Sequence, residues 1–392
     1  MMRMNQFEPQ RRKLLKYSLI GGLGVFFSGH WLSASAQAAP LIHAARDGLL
    51  PPDRNGIRLP QGFKSRIVAR SGQPLFHYRW HAAPDGGATF ATPDGGWVYV
   101  SNSELDKQQG GVGALRFDRQ GERIDAYAIL TNTTRNCAGG HTPWQTWLSC
   151  EEHDRGQVWE CDPFNQQPPR VRPALGTFNH EAVAVDTLHK QLYLTEDKPD
   201  GCLYRYTAHR YDAAGNPDLD DGVLEVAEVM DGRIGAVRWH PLPDPQAMHT
   251  PTRHQIERST RFNGGEGIWF HEGMIYFTTK GDDRIWSYDT RSKMLAIVYN
   301  AALYLRPVLS GVDNITVNAA GELLVAEDNG DMQIVIVAPG AIRPLLQVVG
   351  QDRSEITGPA FSPDGSRLYF SSQRGASGKS EDGVTYEITG PF

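Results

Sequence analysis

The 392-residue sequence lacks three motifs that mark common hydrolase and nucleotide sites. It has no G-x-S-x-G nucleophile turn, no G-x-x-x-x-G-K-[ST] phosphate loop and no H-E-x-x-H helix. Serine hydrolases, P-loop enzymes and zinc peptidases that depend on those motifs are therefore excluded. Any chemistry this chain performs has to come from another arrangement of side chains.

Positive charge and long apolar runs are also scarce. Lys and Arg number 39 against 45 Asp and Glu, which gives a net charge of -6. This balance disfavours nucleic acid and anionic membranes as partners, but it is compatible with bound cations. The one long apolar run, 19–27, is shorter than the roughly 20 residues that a membrane span needs. We therefore expect no nucleic-acid binding and no stable membrane association of the mature protein.

Residues 1–38 predict a twin-arginine signal peptide. Arg11 and Arg12 precede the apolar run, and Ala36-Gln37-Ala38 offers a small-residue cleavage site. We expect this segment to engage the twin-arginine export machinery and to be removed, leaving 39–392 as a single periplasmic or secreted domain. The alternative is an uncleaved N-terminal anchor. An oxidising compartment would permit disulfides among the four cysteines, and Cys161 with Cys202 is one possible pair.

A loose repeat organises the mature chain. Each segment has an apolar strand, a Gly or Asp turn and a second strand that ends in polar residues, with a spacing of about 40 to 50 residues. The segments are 88–104, 142–152, 181–196, 265–280, 313–327 and 357–373. The pattern predicts an all-β, six-bladed β-propeller with a metal site in the central channel. Two stacked β-sandwich domains are the alternative.

Registering the repeats brings acidic residues together at the channel. Glu181, Glu266 and Asp313 begin inner strands, and Glu355 lies just ahead of another. A second set of acids ends the following strands, which return to the same rim: Glu104, Glu151, Glu196 and Glu327. Crowded carboxylates repel one another unless cations neutralise them, so we predict bound metal. The alternative is that several of these acids only cap turns on a solvated rim.

The stretch from Arg135 to His153 adds a thiol to this prediction. Its predicted strand, 144–149, ends on Cys150-Glu151-Glu152, and the repeat register assigns Cys150 and Glu151 to the channel rim. Carboxylates and the amides of Asn102 and Asn314 suit Ca²⁺, whereas a thiolate suits a transition metal such as iron. The alternative is a strand end with solvated acids and a buried free cysteine.

Five runs resemble the PhoX-type alkaline phosphatases, and they follow in the right order across nearly the whole mature chain. The runs are Asn136–Glu152, His180–Asp186, Gly265–Gly267, Asp313–Val317 and Glu355–Gly365. The resemblance implies twin-arginine export and a six-bladed propeller whose channel holds a pair of ferric ions (Fe³⁺) and several calcium ions (Ca²⁺). It also implies that a cysteine bridges the irons and that glutamates complete the cluster.

Carried onto this sequence, the resemblance assigns roles to particular residues. Cys150 would bridge iron, and Glu181 and Glu266 would be metal ligands, so these three are the predicted catalytic residues. The remaining predicted metal ligands are Glu151, Asp313, Glu327 and Glu355. Gly264 stands where larger members carry a phosphate-binding arginine. Lys280 is therefore predicted to bind the substrate instead, with Arg135 a weaker substrate ligand and Arg374 another weak candidate; the alternative for Lys280 is a solvated turn lysine.

The implied activity is metal-dependent hydrolysis of a phosphate ester, with monoesters expected first. A metal-bound oxo or hydroxide would attack a phosphate whose oxygens coordinate the metals. Two other classes stay open on the sequence. One is another propeller hydrolase such as a calcium-dependent lactonase. The other is a non-catalytic propeller that uses metal only for stability and binds a protein partner.

Overall fold

The computed structural model describes residues 48–392, where short runs of β-branched and aromatic residues separated by Gly, Asp and Asn turns form antiparallel strands. The predicted signal peptide and the boundary at residue 39 lie outside the described residues. Within the described part, no helix is long and apolar enough to cross a membrane.

The regular elements of residues 48–392 are almost all strands. In chain order they are β1 (Ile57–Arg58), β2 (Lys64–Arg70), β3 (Pro74–Leu75), β4 (Tyr78–Arg79), β5 (Pro84–Ala91), β6 (Trp97–Ser103), β7 (Gly110–Phe117), β8 (Arg123–Thr133), β9 (Asn136–His141), β10 (Trp147–Glu151), β11 (Val158–Cys161), β12 (Arg170–Val171), β13 (His180–Asp186), β14 (Gln191–Glu196), β15 (Leu203–Ala208), β16 (Gly222–Val229), β17 (Gly235–Pro241), β18 (Gly265–His271), β19 (Met274–Thr279), β20 (Arg284–Asp289), β21 (Met294–Asn300), β22 (Val312–Val317), β23 (Leu323–Glu327), β24 (Gln333–Ala338), β25 (Ala341–Val348), β26 (Ile356–Phe361), β27 (Arg367–Ser372) and β28 (Val384–Thr389). Short 3₁₀ helices span Pro173–Leu175, Thr252–His254, Lys280–Asp282, Ala301–Leu303 and Ser380–Asp382.

These strands group into six antiparallel units of four. Five units run consecutively from β5 to β25, with β17 joining the third unit to the fourth and β1 extending the fifth. The sixth combines β26, β27 and β28 with β2 from the beginning of the described chain. The innermost strands β5, β9, β13, β18, β22 and β26 each contact the next, and β26 contacts β5, which closes a ring. The predicted all-β propeller is confirmed.

The hydrophobic core lies between neighbouring sheets. One cluster joins Leu148 and Val158 of the second unit to Val183, Leu194 and Tyr204 of the third. Another joins the fifth unit to the sixth, through side chains such as Ile334 and Phe370. Because each sheet buries both faces against its neighbours, its strands are apolar on both sides, and polar side chains concentrate at the strand ends.

Near the beginning of each innermost strand, its pairing with the second strand of the same unit is interrupted. The register shifts fall between Pro84 and Gly87, between His180 and Val183, and at matching places in the other innermost strands. A β-bulge re-aims the side chains next to it. The same irregularity therefore recurs around the ring, at the end where the acidic residues lie.

Candidate metal centre

Strand pairing defines two rings of equivalent residues at this end of the channel. In each innermost strand, the first residue paired with the second strand is followed by a member of what we call the inner ring. The inner ring consists of Asp85, Cys137, Glu181, Glu266, Asp313 and Thr357. The residues that follow the paired positions of the second strands form the outer ring, which consists of Glu104, Glu152, Asp197, Lys280, Asp328 and Gln373.

Side chains of the two rings meet closely enough to hold cations. Together with Glu355, they form four groups of three in which one ligand atom per residue lies within 4.8 Å of the others. The groups are Cys137–Glu152–Glu181, Asp85–Glu104–Glu355, Glu181–Glu266–Asp313 and Asp313–Asp328–Glu355. Eight carboxylates and one thiol thus share one site. The structure brings the predicted residues Glu181, Glu266, Asp313 and Glu355 together, and their role as metal ligands remains a prediction.

The thiol at this site belongs to Cys137 rather than to Cys150. Cys137 Sγ lies 3.3 Å from Glu181 Oε1. Cys150 lies one strand further out, in the apolar cluster with Leu148 and Val158, and belongs to none of the four groups. The predicted channel position of Cys150 is therefore wrong. The innermost strand of this unit is β9, a glycine-rich segment that the sequence pattern did not identify as a strand.

The predicted metal ligands Glu151 and Glu327 do not face the channel, and the residue that follows each of them does. Both side chains accept backbone N–H groups: Glu151 from Thr134 and Gln157 at 3.0 and 3.2 Å, and Glu327 from Ser310 and Gln333 at 3.0 Å each. These carboxylates hold loops in place and lie outside the four groups. Their successors, Glu152 and Asp328, face the channel instead, because alternate side chains of a strand point to opposite sides.

Glu196 has the same kind of role as Glu151 and Glu327. Its carboxylate accepts from Tyr204 Oη at 2.7 Å and pairs with Arg253 Nη1 at 3.0 Å. The next residue, Asp197, belongs to the outer ring. In three of the six units, therefore, the first acid of a pair stabilises a loop and the second faces the channel.

The two amides predicted as calcium ligands are used for other contacts. Asn102 accepts from Trp147 and Ser149 at 2.9 Å each, and its Nδ2 donates to the backbone oxygens of Cys137 and Ala138 at 2.9 and 2.8 Å. Asn102 thus fixes the strand that carries the thiol. Asn314 Oδ1 accepts from Gly358 N at 2.6 Å. The Asn102 oxygen thus has both lone pairs used, and the Asn314 oxygen has one of its two used.

Three cationic side chains, those of Lys280, Arg135 and Arg374, contact the acids. Lys280 Nζ lies 3.0 Å from Glu266 Oε1, 3.3 Å from Asp328 Oδ2 and 4.0 Å from Asp313 Oδ2.

The two arginines bind carboxylates at the rim. Arg135 pairs with Glu104 at 3.2 Å and with Glu152 at 2.8 Å, while Arg374 pairs with Glu355 at 2.7 Å. The side chains of Lys280, Arg135 and Arg374 are 31, 36 and 35% exposed, whereas most of the acids are buried. The two arginines therefore lie at the mouth of the site, above the carboxylates, whereas the Lys280 ammonium lies among them.

Gly264 takes a conformation that suits a glycine. Its φ is +70°, and a Cβ there would lie 3.1 Å from Asp197 Oδ1. A larger side chain at this position would be strained by the backbone and would crowd an outer-ring acid. Arg135 occupies the equivalent place in the second unit, two residues before Cys137, so it supplies a cation at that level of the channel.

Burial and mutual repulsion shift the ionisation of the whole site. Burial, reinforced by Glu104, raises the pKa of Glu152 to about 8. Burial also raises the pKa of Asp313 to about 7, although Lys280 opposes the shift. For Asp85, Glu181, Glu266 and Glu355 the pKa lies well above the ordinary value, with burial the largest cause. Burial, with Asp85 and Glu181, likewise raises the pKa of the Cys137 thiol. Without cations, the carboxyl and thiol side chains of this site favour their protonated, uncharged forms.

A layer of small residues closes the channel beneath the inner ring. A Cβ at Gly86 would lie 2.5 Å from Ala138 Cα, and one at Gly358 would lie 2.7 Å from Asp85 O. Glycine is needed because the innermost strands approach each other so closely. Beyond this layer a cavity of about 450 Å³, lined by residues such as Trp269 and Phe361, opens toward the opposite face.

Comparison with known proteins places the chain in a family. The family model for alkaline phosphatase PhoX matches residues 86–158 and 153–375, which is more than half of the chain. The chain belongs to the alkaline phosphatase PhoX family. By family it is a phosphatase, and the sequence resemblance is confirmed. None of the curated proteins matches the chain significantly in a sequence search.

One solved structure supports the fold of this PhoX family member. The chain is similar to Pseudomonas fluorescens PhoX in complex with vanadate, a transition state analogue, with a TM-score of 0.73 and 19% identity over 88% of this chain and 97% of that chain. It is also similar to XC5397 from Xanthomonas campestris, a gluconolactonase, with a TM-score of 0.48 and 14% identity over 88% of this chain and 98% of that chain.

All four cysteines lie in the described residues and are free. Cys161 and Cys202 are buried and unpaired, so the structure does not form the disulfide considered from the sequence.

Proposed function

We propose that this chain is an exported, metal-dependent phosphoric ester hydrolase that acts at the mouth of its central channel, with phosphate monoesters as the first substrates. One observation carries this proposal: eight carboxylates and a thiol converge in a buried site at the mouth of the channel. So many acids cannot be ionised together at low solvent exposure unless cations neutralise them.

The donor set fits two kinds of cation. Three of the four groups contain only carboxylates, the oxygen ligands that Ca²⁺ prefers. The fourth, Cys137–Glu152–Glu181, adds a thiolate donor, which favours a transition metal such as iron. Buried Glu266 Oε1 makes no other hydrogen bond and lies 3.0 Å from the ammonium of Lys280, so a cation already neutralises this oxygen. Iron is thus proposed at Cys137–Glu152–Glu181, and calcium at Asp85–Glu104–Glu355, the all-carboxylate group that Lys280 does not contact.

When bound, the cations would supply Lewis acidity toward phosphoryl oxygens and neutralise the charge of the ester. The chain's own part is to bind and orient the substrate. Arg135 and Arg374 present partly exposed guanidinium groups at the mouth, and Arg135 is held by carboxylates on two sides. A guanidinium can donate two hydrogen bonds to one phosphate, so these arginines suit the oxygens that do not react. Lys280, the other predicted substrate ligand, lies deeper among the acids.

The ring residues also control protons at the site. The Cys137 thiol has a raised pKa and stays protonated unless a cation neutralises its surroundings. Thr357, the one hydroxyl of the inner ring, donates to Pro84 O at 2.9 Å, a backbone carbonyl that cannot act as a general base for it. The proposed hydrolysis therefore needs no covalent enzyme intermediate.

Export is proposed on the sequence alone. The paired arginines Arg11 and Arg12 and the cleavage site at Ala36-Gln37-Ala38 support transport through the twin-arginine pathway to the periplasm or the medium. Detection of a mature form that begins at residue 39 in the periplasmic fraction tests this part. Retention of the full-length chain in the cytoplasm would contradict it.

Activity against a small substrate panel tests the hydrolase proposal. Purified protein supplied with iron and calcium is assayed with p-nitrophenyl phosphate, bis-p-nitrophenyl phosphate and a γ-lactone. We expect phosphate release from the monoester, and we expect Glu181→Gln to lose it, because Glu181 belongs to two of the four groups. Hydrolysis of the lactone alone, or no turnover by a protein that retains its metals, would overturn the proposal.

A further inference from the structure

Lys280 is the only cation in the two rings, among the residues that the structure describes. The equivalent residues of four other units are the acids Glu104, Glu152, Asp197 and Asp328, and the sixth is the neutral Gln373. Four of the six units therefore carry an acid at this position, and one unit carries a base instead. A reversal at a position that otherwise supplies ligands calls for a specific role.

The ammonium of Lys280 stands where a cation would bind. Its distances of 3.0 Å to Glu266, 3.3 Å to Asp328 and 4.0 Å to Asp313 join carboxylates from three strands. Two of the four groups, Glu181–Glu266–Asp313 and Asp313–Asp328–Glu355, contain these contacts. A metal ion and an ammonium cannot both lie between the same carboxylates.

The backbone holds Lys280 at this place. Its N–H donates to Gly264 O at 2.9 Å, and the following Gly281 N donates to Asn263 O at 3.0 Å. Gly264, the residue without a side chain, thus lies directly beside the lysine. Buried Glu266 Oε1 lies 3.0 Å from the ammonium and has no other polar partner. The lysine therefore neutralises this oxygen in the way that a bound metal ion would.

We propose that Lys280 is a built-in cation that takes the place of one metal ion between Glu266, Asp313 and Asp328. The inference rests on the proposed function, in which the remaining groups hold metal. The chain then places its exchangeable ions at Cys137–Glu152–Glu181 and Asp85–Glu104–Glu355, the two groups that contain none of the three carboxylates near the ammonium. Part of the charge needed to keep the acids ionised is permanent and does not depend on calcium supply.

The number of bound calcium ions tests this inference directly. Wild type, Lys280→Met and Lys280→Arg are dialysed against the same Ca²⁺ buffer, and calcium per chain is measured by mass spectrometry. Lys280→Met should bind about one additional ion, since Ca²⁺ occupies a site of clustered carboxylates when its tethered competitor is gone. Lys280→Arg keeps the charge and should match wild type. Lys198→Met is the control, because Lys198 pairs with Asp154 away from the four groups.

A second measurement keeps the test decisive if Lys280→Met folds poorly. Its melting temperature is followed against Ca²⁺ concentration beside that of wild type. A larger calcium-dependent rise in the variant supports the inference. An unchanged calcium count in a folded variant, or a loss of stability that calcium does not reverse, overturns it. Wild type that binds no metal at all would instead contradict the proposed function.

Discussion

Cys137 Sγ lies 3.3 Å from Glu181 Oε1, and the two residues occupy the same place in adjacent innermost strands of the propeller. This contact brings the one thiol of the site into a group with carboxylates. Iron should therefore depend on Cys137 and be indifferent to Cys150.

Replacement of each cysteine checks that dependence. Cys137→Ser should remove bound iron and any thiolate-to-iron absorption band, because a hydroxyl is a poor ligand for the metal. Cys150→Ser should retain both and lose about 1–3 kcal/mol of stability, the typical cost of burying a hydroxyl among apolar side chains. Elemental analysis, visible spectra and thermal melts of both variants provide the comparison. Loss of iron in Cys150→Ser alone would reverse the assignment.

The adjacent acids Glu151 and Glu152 offer a matched pair of variants. Glu152→Gln should lower metal content and turnover, since Glu152 lies in the group with Cys137. Glu151→Gln should keep the metals but destabilise the fold by about 1–2 kcal/mol, because the carboxylate accepts two backbone N–H groups. Metal content and denaturant midpoints measure the two effects. Equal metal loss in both variants would contradict the strand pairing, which directs Glu152 and not Glu151 toward the channel.

The residues explain why the sequence predicted the propeller but only part of its site. Repeats of strands and turns give the fold, and Glu181, Glu266, Asp313 and Glu355 were placed correctly because each begins or precedes a strand of ordinary β composition. Cys137 was missed because its strand, Asn136–His141, carries Gly139 and Gly140, which have low β propensity. One signal in the sequence could have identified Cys137. A small residue follows the ring member at the beginning of four inner strands, after Asp85, Cys137, Glu181 and Glu266.

The prediction of Glu151 and Glu327 in place of the following acids had a different cause. Glu151 and Glu327 each precede another acid, and a shift of one position moves a side chain to the opposite face of its strand. Hydrophobic periodicity alone does not place a bulge, and a bulge near the beginning of each innermost strand sets which acid faces the channel. Lys280 was named from the sequence, but its position among three carboxylates follows only from the packing of three strands.

Arg135 should contribute to substrate binding more than to metal retention. Arg135→Ala should lower kcat/KM for a phosphate monoester by about 10- to 100-fold, the value of a lost hydrogen bond to a charged group. Arg135→Lys should recover part of it, and bound metal should be unchanged in both. Arg119→Ala, an exposed arginine elsewhere, is the control. Unchanged kcat/KM in a metal-replete Arg135→Ala protein would remove Arg135 from the substrate site.

The metal-free protein should lose stability as pH rises. The folded-state pKa values are about 7 for Asp313 and about 8 for Glu152, above the ordinary carboxyl values of 3.8 and 4.5. Between these limits the folded state binds more protons than the unfolded state, so the free energy of unfolding falls from about pH 4 to about pH 8. Cations favour the ionised acids and should reverse the trend. Melting curves with chelator and with calcium check this, and a chelated protein that gains stability over that window would contradict it.

Phosphate release measured together with bound metal tests the central claim most directly. Purified protein is titrated with a chelator, and at each point p-nitrophenyl phosphate turnover and iron and calcium per chain are determined. The site described here predicts that turnover falls in step with metal content and returns when the metals are restored. Full turnover by a protein stripped of both metals would contradict it.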